Sequence, residues 1–393
     1  MSFNPRILTI SNYEQARKYM ADIGVDEPGQ RYMESKALFL TVRADGLSIP
    51  AANILKQEML SRGGEAAIHR EAVTYKVDQT SVILMGTIQQ FKKLGTKLYV
   101  QPFKLAQLSR ELNALITNLT TEQVSIDCLN GPLELGGRTL IMGIVNVTPD
   151  SFSDGGKYYQ IDRAVEHALQ LVEEGADIID IGGESTRPGS EEISAEEELS
   201  RVLPVVKALV PQIKVPVSID TYKAAVAEQV LDEGVAIIND IWGFQREQEL
   251  AKVAARYNCP VVLMHNQKDT GYRDLIGDII GFLRKSIEIA DVAGVKADKI
   301  IIDPGIGFGK DLEQNLEVMH RLEELKSLGK PILLGTSRKS MIGKTLNLPA
   351  TECLEGTAAT VALGINKGID IVRVHDVKEM ARVVKMVDAI VRR

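Results

Sequence analysis

Between residues 140 and 376 the chain repeats one pattern eight times: a short β-branched apolar run, then a segment with helical spacing. The runs are LIMGIVNV, DIIDIGG, VPVSID, VAIINDI, CPVVLMH, KIIIDPG, KPILLGT and DIVRVHD. Strands that are apolar along their whole length belong to a parallel sheet covered on its outer face, not to a sheet with one wet side. The intervening segments supply the cover. In IDRAVEHALQLVEEG, for example, Ala164, Ala168, Leu171 and Val172 fall on one helical face, and Gly175 closes the segment. Eight such units in about 250 residues match the size of a closed (β/α)8 TIM barrel. The expected fold class is α/β. Just before the barrel, VSIDCLNGPLELGGRTL reads as a β-hairpin turning at Asn130-Gly131. It is expected to plug the barrel floor.

Residues 1–120 read as a separate small α/β or α+β domain, and residues 121–393 as the barrel domain. In the first, RILTIS, ALFLTVRA, AAIHREAV and SVILMGT have strand character, while PAANILKQEMLSRGG and IQQFKKLGTKLYVQPFKLAQLSRELNALI have helical character. This domain shows no phosphate loop, metal cluster or catalytic constellation. An oligomerisation or packing role is expected of it, with regulation or a second ligand as the alternative.

A net charge of −7 argues against nucleic acid as the main partner, though a local cationic pocket is compatible with it. The three cysteines, Cys128, Cys259 and Cys353, show no paired spacing. Neither a disulfide framework nor a zinc site is expected, and a reducing, cytoplasmic setting is. The N-terminal stretch lacks the pattern of a secretion signal, and no apolar run reaches membrane-spanning length, so no membrane association is expected.

In a parallel barrel all strand C-termini open on one rim, where the following loops build the site. The polar residues of this chain collect at those positions. The runs end in Asn146, Thr148 and Asp150; in GGESTRPGS; in Asp220; in Asn239 and Asp240; in Met264, His265 and Asn266; in Asp303, Phe308 and Lys310; in GTSRKS; and in Arg373, His375 and Asp376. Asp220, Asn239 and Asp303 form an acidic and amide group suited to a ligand rich in N–H donors, because a buried carboxylate needs donors. Arg187, Lys339, Arg373 and His375 form a cationic group. Arg373 and His375, two apart on one strand, share a face and suit a phosphate or diphosphate. GIGFGK is preceded by Pro304, at the position five before Gly309 where a phosphate loop needs its first glycine, and no His/Cys metal spacing occurs. A hard Mg²⁺ held by one amide, waters and substrate phosphates fits the loop oxygens better.

MGIVNVTPDSFSDGG, DIIDIGGESTRPGS, IDPGIGFGK, GTSRKSMIG and RVHD, in this order, resemble the dihydropteroate synthase family over roughly residues 125–393. The resemblance implies condensation of 6-hydroxymethyl-7,8-dihydropterin diphosphate with 4-aminobenzoate, giving 7,8-dihydropteroate and diphosphate in folate biosynthesis. Small-molecule substrates and a homodimer follow from it. It implies that Asp220, Asn239, Asp303 and Lys339 hold the pterin, with Met264 and Gly335 lining its slot, and that Asn146 ligates Mg²⁺. Thr186, Arg373 and His375, with Arg187 nearby, would bind the diphosphate. Pro188, Phe308, Lys339 and Ser340 would form the 4-aminobenzoate pocket, and Lys339, Arg373 and His375 would carry the catalytic burden. Two alternatives share the barrel: a methyltetrahydrofolate-type methyltransferase acting on a corrinoid partner, and a non-catalytic pterin-binding relative.

Overall fold

A computed structural model describes residues 3–120, 125–148, 157–185 and 191–392, with residues 157–160 described in backbone only. The chain divides into two compact units, Met1–Glu122 and Gln123–Arg393.

The first unit runs α1 (Tyr13–Asp22), α2 (Glu27–Ala37), β1 (Phe39–Ser48), α3 (Ile49–Leu60), β2 (Glu65–Ile68), β3 (Gln79–Thr87), α4 (Ile88–Leu98) and α5 (Leu105–Thr120). Its antiparallel sheet has the order β1-β3-β2. Leu55, Met59, Leu84, Phe91, Leu94 and Leu98 are fully buried in one cluster. Two sequence expectations fail here. RILTIS forms no strand: Ile7 is 96 % exposed, so nothing rewards its extension. The long helical stretch after Thr87 breaks at Pro102, where Phe103 and Lys104 take left-handed φ values of 58° and 64°. Helices α1 and α2 are not among the expected elements, although Asn12 and Asp26 cap them by accepting from the Gln15 and Gly29 amides.

The second unit opens with the hairpin β4 (Ser125–Cys128) and β5 (Gly131–Glu134). The barrel strands are β6 (Leu140–Asn146), β7 (Ile178–Gly182), β8 (Val217–Asp220), β9 (Ile237–Asp240), β10 (Val261–Met264), β11 (Ile300–Asp303), β12 (Leu333–Leu334) and β13 (Ile371–Val374). They pair in parallel in the order β11-β10-β9-β8-β7-β6-β13-β12. A bridge between Ile302 and Ile332 joins the two ends, with Ile302 N donating to Pro331 O at 2.9 Å. The outer helices are α6 (Lys157–Glu173), α7 (Ala195–Leu209), α8 (Ala224–Asp232), α9 (Glu249–Tyr257), α10 (Leu275–Ala293), α11 (Leu312–His320), α12 (Ser340–Leu346), α13 (Leu354–Asn366) and α14 (Val377–Val391). The (β/α)8 barrel expected from the eightfold repeat is what forms.

Strand side chains alternate between two faces, and the core splits accordingly. Ile141, Val145, Ile179, Ile181, Ile219, Ile238, Leu263, Ile302 and Val372 pack outward with helix residues such as Ala164, Ala168, Leu171 and Val202. Met142, Ile178, Ile237, Val262, Ile301, Leu333 and Ile371 point inward and join Ile126, Leu133 and Leu135 of the hairpin region in a separate cluster. The hairpin therefore seals the barrel from below, as expected. Ile126→Val, which removes one methylene from a fully buried plug residue, is expected to lower unfolding stability by about 0.5–1.5 kcal/mol. The same change at exposed Ile7 is expected to leave the urea midpoint in place. Equal midpoints for the two variants would remove the plug from the core.

Candidate active site

Two residues above the apolar floor, the same inward parity brings up different chemistry. From Ile178 it reaches Asp180, from Ile237 Asn239, from Val262 Met264, from Ile301 Asp303, from Leu333 Gly335, and from Ile371 Arg373. Asp220 stands level with Asn239 in the β8–β9 register. The floor is apolar and the layer above it is acidic, amide-bearing and cationic, within the reach of a single pleat.

Arg373 organises that layer. Its Nε donates to Asp180 Oδ2 at 2.7 Å and its Nη2 to Asp220 Oδ2 at 2.8 Å. Asn239 Nδ2 donates to the same Asp180 oxygen at 3.1 Å. The other oxygens, Asp180 Oδ1 and Asp220 Oδ1, are buried without a hydrogen-bond partner. A buried acceptor left this way costs stability unless a donor arrives, so both oxygens are open to a proton or to the N–H groups of a ligand. Burial pushes the Asp220 carboxyl up, against the pull of Arg373, and the neighbouring Asp180 adds to the rise.

Asp303 stands close by. A methyl group placed on Gly335 would lie 3.8 Å from Arg373 Cβ and 4.0 Å from Asp303 Oδ2, so the three share one wall. Asp303 Oδ1 accepts from the Gly305 amide at 2.7 Å. Burial raises its pKa to about 6, held back by that hydrogen bond and by Lys339, Arg373 and Lys310. The Lys339 ammonium sits 4.2 Å from the centre of the Phe308 ring. Phe308 in turn packs on the mouth cluster of Tyr222, Ile241 and Met264. Ser340 is exposed at the start of α12. Asn146, half-buried at the end of β6, and Asp220 flank Gly182, where an added methyl would lie 3.7 Å from Asn146 Oδ1 and 3.6 Å from Asp220 Cβ.

His375 departs from the charge assigned to it on sequence. Burial, with Arg338 and Arg373 nearby, lowers its pKa to about 3, so the ring is neutral at physiological pH. Its Nδ1 pairs with Ser337 Oγ at 3.0 Å. A neutral ring faces an anion as a hydrogen-bonding group. Thr186, Arg187 and Pro188 lie outside the described residues, as do Asp150 and the serines of the first loop. Sequence reading missed Asp180 because it looked only at strand ends. The signal was the parity of I-I-D-I-G, which puts Asp180 on the face of Ile178 and Gly182. It also missed the buried cluster of Lys223 with Glu184 and Glu198 at the rim, in which the Tyr222 hydroxyl donates to Glu184.

A sequence profile described as "Pterin binding enzyme" matches residues 142–375. The chain is 60 % identical over 260 residues to a dihydropteroate synthase of Clostridium beijerinckii, covering 66 % of this chain and 97 % of that one. The chain belongs to the dihydropteroate synthase family. Its membership makes it an enzyme, a transferase. A solved dihydropteroate synthase from Clostridium difficile, determined in the presence of pteroic acid, superposes with a TM-score of 0.66 at 55 % identity, covering 66 % of this chain and all of that one. The Xanthomonas albilineans dihydropteroate synthase with 4-aminobenzoic acid gives a TM-score of 0.65 at 40 % identity, covering 68 % and 98 %. A probable bifunctional folylpolyglutamate synthase/dihydropteroate synthase of Halobacterium salinarum is 38 % identical over 391 residues, 97 % of this chain and 46 % of its own length. That last match takes in the N-terminal unit as well as the barrel.

Proposed function

We propose that this barrel mouth joins 6-hydroxymethyl-7,8-dihydropterin diphosphate to 4-aminobenzoate, with Asp180, Asp220, Asn239 and Asp303 receiving the pterin. The observation that carries the reading is the orphaned pair of buried carboxylate oxygens beside Asp303 in a chain of this family. Pterin N–H groups are the donors such oxygens lack. Met264 and Gly335, on the inward face beside them, would line the slot for the ring. Phe308, Lys339 and Ser340 form the described part of the arylamine pocket above it.

In the reaction a C–N bond to the arylamine replaces the C–O bond to diphosphate, and the amine gives up a proton. Charge grows on the departing oxygen, where a preorganised donor is worth most. Arg373 is held by two carboxylates before substrate arrives, so it loses little freedom on binding, and neutral His375 adds a hydrogen bond. The carboxylates below favour positive charge developing on the pterin methylene. Mg²⁺ fits a modest role. Among the described residues no group of three or more His, Cys, Asp or Glu side chains is placed to hold a metal ion. Asn146 Oδ1 offers one hard oxygen, which suits an ion that keeps its waters and is held by substrate phosphates. When bound it would neutralise diphosphate charge.

Three free thiols, Cys128, Cys259 and Cys353, support a reducing, cytoplasmic setting. Exposed Leu363 of α13 and Met386 and Ile390 of α14 offer apolar contact for a homodimer through the outer helices.

The deciding assay is diphosphate release from the purified protein, with each substrate omitted in turn. Release is expected only with both present. Methyl transfer to a cobalamin protein, or pterin binding without release, would overturn the reading. Acid weakens the pterin site in a defined direction. The ligand needs the Asp303 carboxylate, whose pKa is about 6, so affinity is lost as pH falls through that value. Calorimetry at pH 5 is expected to show about tenfold weaker pterin binding than at pH 7.5. A flat profile would take Asp303 out of the site.

A further inference from the structure

The GIGFGK turn, which cradles no phosphate, ends in a lysine that the proposed chemistry leaves without a task. Lys310 is only 8 % exposed. Its Nζ donates to Gly305 O at 2.9 Å and to Phe308 O at 3.0 Å, and lies 2.9 Å from His265 Nδ1. Burial lowers the pKa of His265 to about 3, with Lys310 adding to the fall, so its neutral ring presents Nδ1 as an acceptor. Burial lowers the pKa of Lys310 itself to about 7, with Asp303 pulling the other way. The cationic form therefore prevails through the range near pH 6 in which Asp303 titrates, and three acceptors then surround the three N–H bonds of one ammonium.

The backbone is wound around that point. Gly305, Gly307 and Gly309 take left-handed φ values of 68°, 83° and 55°, a repeat only glycine makes cheaply. A methyl group on Gly305 would stand 1.9 Å from His265 O, so the turn lies hard against β10. Outer ties hold the remaining groups: Gly307 N to Asn315 Oδ1 at 2.7 Å and Tyr272 Oη to Gly309 O at 2.8 Å. At one end of the turn the Gly305 amide meets Asp303, and at the other Phe308 lies beneath Lys339.

We infer that Lys310 is a positioning residue for both substrates: its ammonium is the hub on which the turn is wound, fixing the Gly305 amide against Asp303 and the Phe308 ring under Lys339. The inference rests on the site reading above. Asp303 is faced by Lys310 from its own turn, Lys339 from the loop after β12, and Arg373 from β13, which is itself bound to the acidic pair Asp180 and Asp220. Removing one of the three cations leaves the carboxylate easier to protonate.

Lys310→Met and Lys310→Arg separate charge from geometry. In Lys310→Met the acid midpoint of pterin binding is expected to move up by about one pH unit. The KM for 4-aminobenzoate is expected to rise about tenfold with kcat little changed, the mark of lost ground-state positioning. In Lys310→Arg the midpoint is expected to stay while KM still rises, because the charge is kept and the three-acceptor cage is not. A folded Lys310→Met with wild-type midpoint and KM would overturn the inference. If neither variant folds, the wild-type protein labelled with ¹⁵N-lysine decides. One lysine ammonium is expected to exchange slowly with water and to shift on pterin binding, and its absence would overturn the inference. Failure of the wild-type protein to bind pterin or release diphosphate would instead sink the site reading itself.

Discussion

Arg373→Ala is expected to cost about 3–5 kcal/mol of stability and to remove turnover with the diphosphate substrate almost entirely. Two carboxylates, Asp180 and Asp220, share its guanidinium inside the barrel, and both lose that hydrogen-bonding cation. The direction with pH follows from the carboxyl groups. Asp220 has its pKa raised by folding, so the folded state holds a proton that the unfolded chain releases, and stability from that proton is present at low pH and lost as pH rises. Without Arg373 the rise is steeper. The variant's deficit in urea midpoint is therefore expected to be largest near pH 8 and to narrow toward pH 5. On the functional side, the loss with pterin diphosphate is expected to exceed the loss of affinity for a phosphate-free pterin. Equal losses would show that Arg373 only holds the carboxylates and does not meet the leaving group.

Asp303→Ala is expected to weaken binding of a phosphate-free pterin by about 2–3 kcal/mol, roughly 30- to 150-fold. The change removes a buried acceptor and strands the pterin N–H groups that face it. It also frees the Gly305 amide now bonded to Oδ1. Asp303→Asn, which keeps the volume, is expected to restore little, because one oxygen becomes an N–H₂ donor facing other donors. Calorimetry with the two variants checks both statements. Unchanged affinity in either would place the pterin elsewhere.

The barrel could be read from sequence because its physical cause is local. Each strand is apolar on both faces, each is followed by a one-sided helix, and eight repeats leave little choice of topology. The mouth residues Asp220, Asn239, Met264, Asp303 and Arg373 were legible for the same reason, being the inward positions nearest the strand ends. Asp180 was not, since it lies inside an apolar run where a carboxylate looks like an interruption. Its inward placement follows from the pleat that also turns Ile178 inward. The neutral state of His375 depends on burial and on Arg338 and Arg373, which spacing does not reveal. In the N-terminal unit the reading was weaker because strands there have few partners. RILTIS carries strand-forming residues, but propensity without a neighbour to pair with forms nothing.

The hairpin packed under the floor has a kinetic consequence. A tube stoppered at one end has a single doorway, so it fills and empties like a stack: the piece that goes to the bottom travels first on the way in and last on the way out. Loading is expected to be ordered, with the bicyclic reactant ahead of the aniline, and an aniline seated early blocks the way for its partner.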